Sequence, residues 1–214
     1  MIALLLFISQ GSFKYFGTLL PIFTVKELGW TNIEYAQYYS TAKLIGGIVG
    51  MILGGILIEK FGKKRMLNIY FFGLLIITMV FVFFKTYWNS VTFIYAIMII
   101  FNILYTIFCI GIFASAMQCC WKKISASQFT LYMTIGNLGQ MTIAALIGPI
   151  KENFSWQITI FAFAIMISLA WLLLQFISIN KQVEQIIELE NKDLEKESFL
   201  ISLSLFQTNI KHKN

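Results

Sequence analysis

Apolar residues along this chain gather in long unbroken runs instead of alternating with polar ones. Six stretches stand out, at about 2–24, 37–58, 66–84, 91–117, 126–150 and 155–179. Each is close to the roughly 20 residues a helix needs to cross the hydrocarbon of a bilayer. Charge or turn chemistry separates them: 26–29 with Thr31 and Asn32, then 59–65, 85–90, Lys122 with Lys123, and 151–154. Backbone groups cannot go unpaired in lipid, so runs this long are viable only as helices. The pattern therefore predicts an all-α polytopic membrane protein, with six transmembrane helices in a domain over 1–180. After Asn180 the pattern changes. Val183, Ile186, Ile187, Leu189 and Leu194 recur among Glu and Lys at near-helical spacing, which predicts an amphipathic helix in solvent or on the surface. It falls in a tail at 181–214. The apolar stretch 199–206 is too short to span and yields no functional reading.

Composition agrees that lipid is the solvent. Apolar residues make up 58% of 214 and charged residues 12%, with mean hydropathy +0.78, against about 25% charged in a soluble domain. The net charge of +6 does not predict nucleic-acid binding, because thirteen of sixteen basic residues lie in the connections or the tail. Lys14 and Lys43 sit inside apolar runs and Lys85 borders one. With both termini in the cytoplasm, the inner connections carry Lys60, Lys63, Lys64, Arg65, Lys122 and Lys123, and the outer ones Lys26, Lys85 and Lys151, as the positive-inside rule requires. Met1 leads directly into an apolar run without a basic lead or cleavage site, so the first run reads as a retained helix. Adjacent Cys119 and Cys120 make a poor disulfide pair, and with Cys109 they read as plain thiols. One histidine, His212, completes a set with no metal-site spacing, and no cofactor is predicted.

Candidate chemistry lies at one connection and within the helices. The second and third runs are joined by Gly54-Gly55-Ile-Leu-Ile-Glu59-Lys60-Phe-Gly62-Lys63-Lys64-Arg65. Gly55 would let helices pack closely, Gly62 would allow a tight turn, and Glu59 would face a neighbouring helix N-terminus while the basic run meets headgroups. On the second run Gly46, Gly50 and Gly54 form two overlapping GxxxG spacings, with Gly47 alongside and Lys43 on the same face, a pattern for close helix packing. On the fifth run Thr130, Thr134, Asn137 and Gln140 share about a third of the circumference; Tyr95, Asn102, Tyr105, Thr106 and Cys109 stripe the fourth. Facing a wet cavity, Asn102, Tyr105, Asn137 and Gln140 would contact a polar solute; facing a helix, they would be hydrogen-bonding glue. Lys14 is the sharpest candidate, a charge near the middle of a span beside Gly11, Gly17 and Pro21. It would hold an anionic group, with snorkelling to the surface as the rival reading, more so for Lys43. None of the six runs holds an acid, since Glu27, Glu34, Glu59 and Glu152 fall in connections.

The glycine–acid–base–glycine–basic arrangement of 55–65 resembles the loop signature of the major facilitator superfamily, with Glu59 where Asp is usual. Residues 23–30 ending in Leu28-Gly29-Trp30, the stretch Ser127-Gln128-Phe129-Thr130-Leu131-Tyr132, and Asn137-Leu138-Gly139 are similar to the C-terminal half of AmpG-type muropeptide permeases and of related acetyl-CoA and siderophore carriers. The resemblance implies one six-helix half of a twelve-helix carrier in a bacterial inner membrane. It implies alternating-access transport of a muropeptide-like solute, and either a second six-helix half or a second copy as partner. If the carrier is proton-driven, its carboxylate would come from that partner. The opposed expectation is a truncated or orphan half that transports nothing. A membrane enzyme is the weakest reading, because the spans hold no His or acid and no base lies near Cys109 in the sequence.

Overall fold

The computed structural model describes residues 1–177 and 179–211, with side chains given except at 179, 180, 197 and 200–211. His212 lies outside the described residues. The described residues form eight α-helices: α1 Ile2–Lys26, α2 Asn32–Phe61, α3 Lys63–Phe83, α4 Val91–Gln118, α5 Ser125–Ala145, α6 Ile147–Asn153, α7 Trp156–Phe176 and α8 Ile179–Lys211. Six segments are long and apolar enough to cross a membrane: α1 to α4, the stretch Lys122–Asn153 holding α5 and α6, and α7.

Several helices outrun their apolar runs because polar side chains cap them. Thr31 opens α2 with a capping box. Its hydroxyl accepts from the Glu34 N–H at 3.2 Å, and Glu34 accepts from the Thr31 N–H at 2.8 Å. Glu34 therefore belongs to the first turn of α2, Glu59 to its last turn and Glu152 to α6, where connections were expected. Ser90 and Ser155 cap α4 and α7 in the same way. Gly62, at φ 78°, separates α2 from α3, a conformation that costs glycine little. The fifth run, expected to be one helix over 126–150, instead breaks at Leu146. Pro149 has no N–H, and its ring crowds the carbonyl four residues back, Ala145, where α5 ends.

In lipid, helices associate through close packing and not through the hydrophobic effect. Two glycine seams supply it here. A Cβ added to Gly46 would stand 2.5 Å from Asn102 Cβ, one on Gly50 2.6 Å from Thr106 Cβ, and one on Gly54 2.9 Å from Ile110 Cδ1, so α2 lies directly on α4. Gly139 likewise stands against the Phe7 carbonyl, and Gly11 against the Gly139 carbonyl and Ile143, locking α1 to α5. Gly55 does not pack as expected: it is exposed, and nothing lies within 4 Å of its added Cβ, because it sits off the α4-facing side.

α3 and α7 back these pairs. α3 packs on α4 and α7, and α7 also on α1. The Tyr15 hydroxyl donates to the Thr159 carbonyl at 3.0 Å, and Phe16 meets Phe163 at 4.9 Å between centroids. At the α1–α2 end, Phe23 makes edge contacts with Trp88 and Trp156. At the other end Lys64 donates to the Ile177 carbonyl at 2.9 Å, closing the terminus of α7, and Lys63 reaches the Ala114 carbonyl at 3.5 Å. Part of the basic run thus serves helix ends as well as the surface.

α8, the amphipathic helix expected in solvent or on the surface, lies against this same end. Val183 and Ile186 pack against the core, while Ile187, Leu189 and Leu194 remain exposed. The Glu190 carboxylate accepts from the Lys122 backbone N–H and pairs with its ammonium; Asp193 pairs with Lys123 at 3.6 Å.

Candidate functional site

A cavity of about 190 Å³ opens where the two glycine-locked pairs meet. α1 contributes Gln10, Phe13, Lys14 and Gly17, and α5 contributes Gln140. From the other pair come Tyr39 and Lys43 of α2 and Phe101, Asn102 and Tyr105 of α4. Lys14, Lys43 and Asn102 each lie eleven or twelve residues from the helix end nearest the α1–α2 turn or its α4 counterpart. At 1.5 Å per residue this is a common depth of about 17 Å, near the middle of a bilayer.

Its aromatic wall comes from rings that cross between the pairs. Phe13 lies 4.8 Å from Tyr105 and 4.7 Å from Phe108, and Phe16 lies 4.3 Å from Phe101. The amides are partly tied down. Asn102 donates to the Met98 carbonyl at 2.8 Å, a bond within its own helix that leaves its oxygen free. Gln140 donates to Gln10 Oε1 at 3.4 Å and to Asn137 Oδ1 at 3.3 Å. Both lysines and three amide side chains thus line one cavity, and no carboxylate lines it among the described residues.

Of the residues singled out in the sequence, Lys14, Asn102, Tyr105 and Gln140 share this cavity. Asn137 lines a smaller adjoining hollow of about 30 Å³ with Gln10, Gly136 and Gln140. Thr130 and Thr134 are exposed, and their hydroxyls donate to carbonyls of their own helix four residues back. Thr106 is held against Gly50, and Tyr95 stacks edge-on with Tyr38. Gly55, Glu59, Lys60, Gly62, Lys63, Lys64 and Arg65 cluster at the α2–α3 turn, away from the cavity. There Glu59 is exposed, without an ion pair or hydrogen bond among the described residues.

Two polar lining residues went unread in the sequence. Tyr39 carried no signal beyond its place in an apolar run. Gln10 is 3% exposed, and its buried Nε2 faces the Cys109 sulfur, a weak acceptor. A lone amide in an α1 run otherwise rich in Leu, Ile and Phe was the available sign, one as readable as Lys14.

The stretch 127–132 has a structural role of its own. Gln128 accepts from the Trp121 N–H at 2.9 Å and donates to the Tyr132 hydroxyl at 3.1 Å, fixing the turn between α4 and α5.

Comparison with curated proteins gives no match. The family model described as Major Facilitator Superfamily matches residues 1–144, from the start of α1 almost to the end of α5. Six apolar spanning segments folded as one half of that architecture, together with this match over two thirds of the sequence, make the chain a multi-pass membrane protein of the transport class and a member of the Major Facilitator Superfamily.

Proposed function

We propose that this chain forms one half of an alternating-access permease for a small, polar, anionic solute, with the cavity between the helix pairs as its binding wall. The observation that carries this reading is that Lys14 and Lys43 line one cavity at mid-membrane depth with Gln10, Asn102, Tyr105 and Gln140, and with no carboxylate among the described residues. A cation in a spanning helix is costly unless it faces such a cavity and meets a counter-charge, and a bound anion provides one. Amides and hydroxyls beside the lysines suit a solute with further polar groups. The likeness of 127–132 and 137–139 to AmpG-type permeases supports a muropeptide-like solute. The basic residues at 60–65 and 122–123 support an inner-membrane placement with both termini in the cytoplasm. Alternation needs a second wall, supplied by another six-helix half or a second copy.

The test is uptake into vesicles of the host membrane, with and without the chain, using labelled anhydro-muropeptide and neutral amino sugars. Chain-dependent uptake of the anionic solute, lost in Lys14→Ala with membrane levels unchanged, supports the proposal. Full uptake in that variant removes Lys14 from the site.

A further inference from the structure

We infer that the cavity selects a solute carrying two negative charges, and that Gln10 is a further binding contact for it. The inference rests on reading the cavity as a solute site. Its basis is a surplus of donors. Lys14 from α1 and Lys43 from α2 line one cavity of about 190 Å³ at matching depth. Each ammonium offers three donors and no acceptor. Two like charges at this depth repel each other, and one bound monoanion neutralises only half of them. No carboxylate among the described residues lines the cavity to balance the second charge.

Gln10 adds an independent sign. It is 3% exposed, and its buried Nε2 has beside it only the Cys109 sulfur as an acceptor. Gln140, which donates to both Gln10 Oε1 and Asn137 Oδ1, holds the Gln10 oxygen toward α5 and leaves the Nε2 over. The neighbouring Cys109 sulfur is only a weak acceptor. An unsatisfied buried donor is costly, and it persists where a ligand completes it. One helical turn separates Gln10 from Lys14 on the same face of α1, so a single oxyanion would accept from both. Lys43, across the cavity on the other helix pair, would take the second charge.

The experiment is calorimetric binding to the full chain in lipid nanodiscs. The probes are succinate, its half-amide succinamate and its diamide succinamide, with inorganic phosphate as a compact dianion. They share size and shape in the first three and differ in charge. Dianion preference predicts that succinate or phosphate binds at least about tenfold more tightly than succinamate, with succinamide weakest, since a charge-assisted contact is worth about that factor. Lys43→Ala would abolish the dianion–monoanion difference while leaving monoanion binding. Gln10→Leu, which removes the donor and keeps the bulk, would weaken both anions about equally, by roughly tenfold. Equal affinity for succinate and succinamate overturns the two-charge inference and leaves the anionic-solute reading standing. Unchanged affinity in Gln10→Leu overturns its role. No binding of any charged probe overturns both readings.

Discussion

Glu190 holds Lys122 twice, accepting from its backbone N–H at 3.0 Å and lying 3.3 Å from its ammonium. The carboxylate is largely covered whereas the lysine is exposed, so the backbone bond is the better shielded of the two. Exposed ion pairs contribute roughly 1 kcal/mol or less, and the bond to the N–H adds a comparable amount. Glu190→Ala should raise amide hydrogen exchange at 122–124 and along α8, with α1 to α4 unchanged. Mass-spectrometric exchange in nanodiscs reads this, and unchanged exchange at 122–124 would show that α8 stays docked without the Glu190 contact.

Gly50 and Gly55 should respond in opposite ways to the same change. Gly50→Val places a branched side chain against Thr106 on α4, whereas Gly55 has open space. Overpacking costs about 1–3 kcal/mol. The first variant should lower the thermal midpoint in detergent by several degrees and the second should leave it near wild type.

Gly139 sets a stricter limit than Gly17. An added Cβ at Gly139 meets the Phe7 backbone carbonyl, which cannot rotate aside, and nothing lies near one at Gly17. Gly139→Ala should part α1 from α5 and reduce folded yield by size-exclusion, while Gly17→Ala should not.

Cys119 and Cys120 are buried, and desolvation pushes both thiols above their ordinary value. The thiolate is the reactive form, so labelling should be slow at neutral pH and still rising above pH 9. In a Cys109→Ser background, iodoacetamide labelling against pH checks this. A plateau below the ordinary thiol pKa of about 8.5 would contradict it.

The exposed Lys192–Glu188 pair, 2.7 Å apart, lowers the carboxyl and raises the amine. A depressed carboxyl contributes stability above its unfolded value, about 4.3, which is lost as pH falls through the lower folded value. A raised amine contributes below about 10.4 and loses it as pH rises through the folded value. Local exchange protection around residues 188–192 should therefore be flat at neutral pH and fall at both extremes, with Glu188→Gln removing the acid limb.

The helices were legible because hydrocarbon thickness imposes run length, and the α2 seam because Gly46, Gly50 and Gly54 repeat within one helix. The α1–α5 seam was not. Gly11 and Gly139 lack a repeat, and their meaning exists only once helices 128 residues apart are placed side by side. The break at Leu146 is written in Pro149, but its effect falls four residues upstream, inside an apolar run. Of the polar stripe on α5, Gln140 lines the cavity and Asn137 the adjoining hollow, whereas Thr130 and Thr134 line neither. Each threonine satisfies its hydroxyl on its own helix, whereas Gln140 also reaches across to Gln10 on α1. The docking of α8 depends on charges at 122–123 and 190–193, which periodicity cannot connect.

The two glycine seams interlock backbone with backbone, whereas α1 and α4 meet through ring faces: Phe13 and Phe16 against Phe101, Tyr105 and Phe108. One kind of joint resists sliding and the other is lubricated. The half is thus built as two stiff planks, α1 with α5 and α2 with α4, tied along the rear by α3 and α7. The lysines stand on opposite planks, so the distance between them is set by the angle at which the planks meet, and a tilt too small to disturb any helix would change how far apart two negative charges must be to fit.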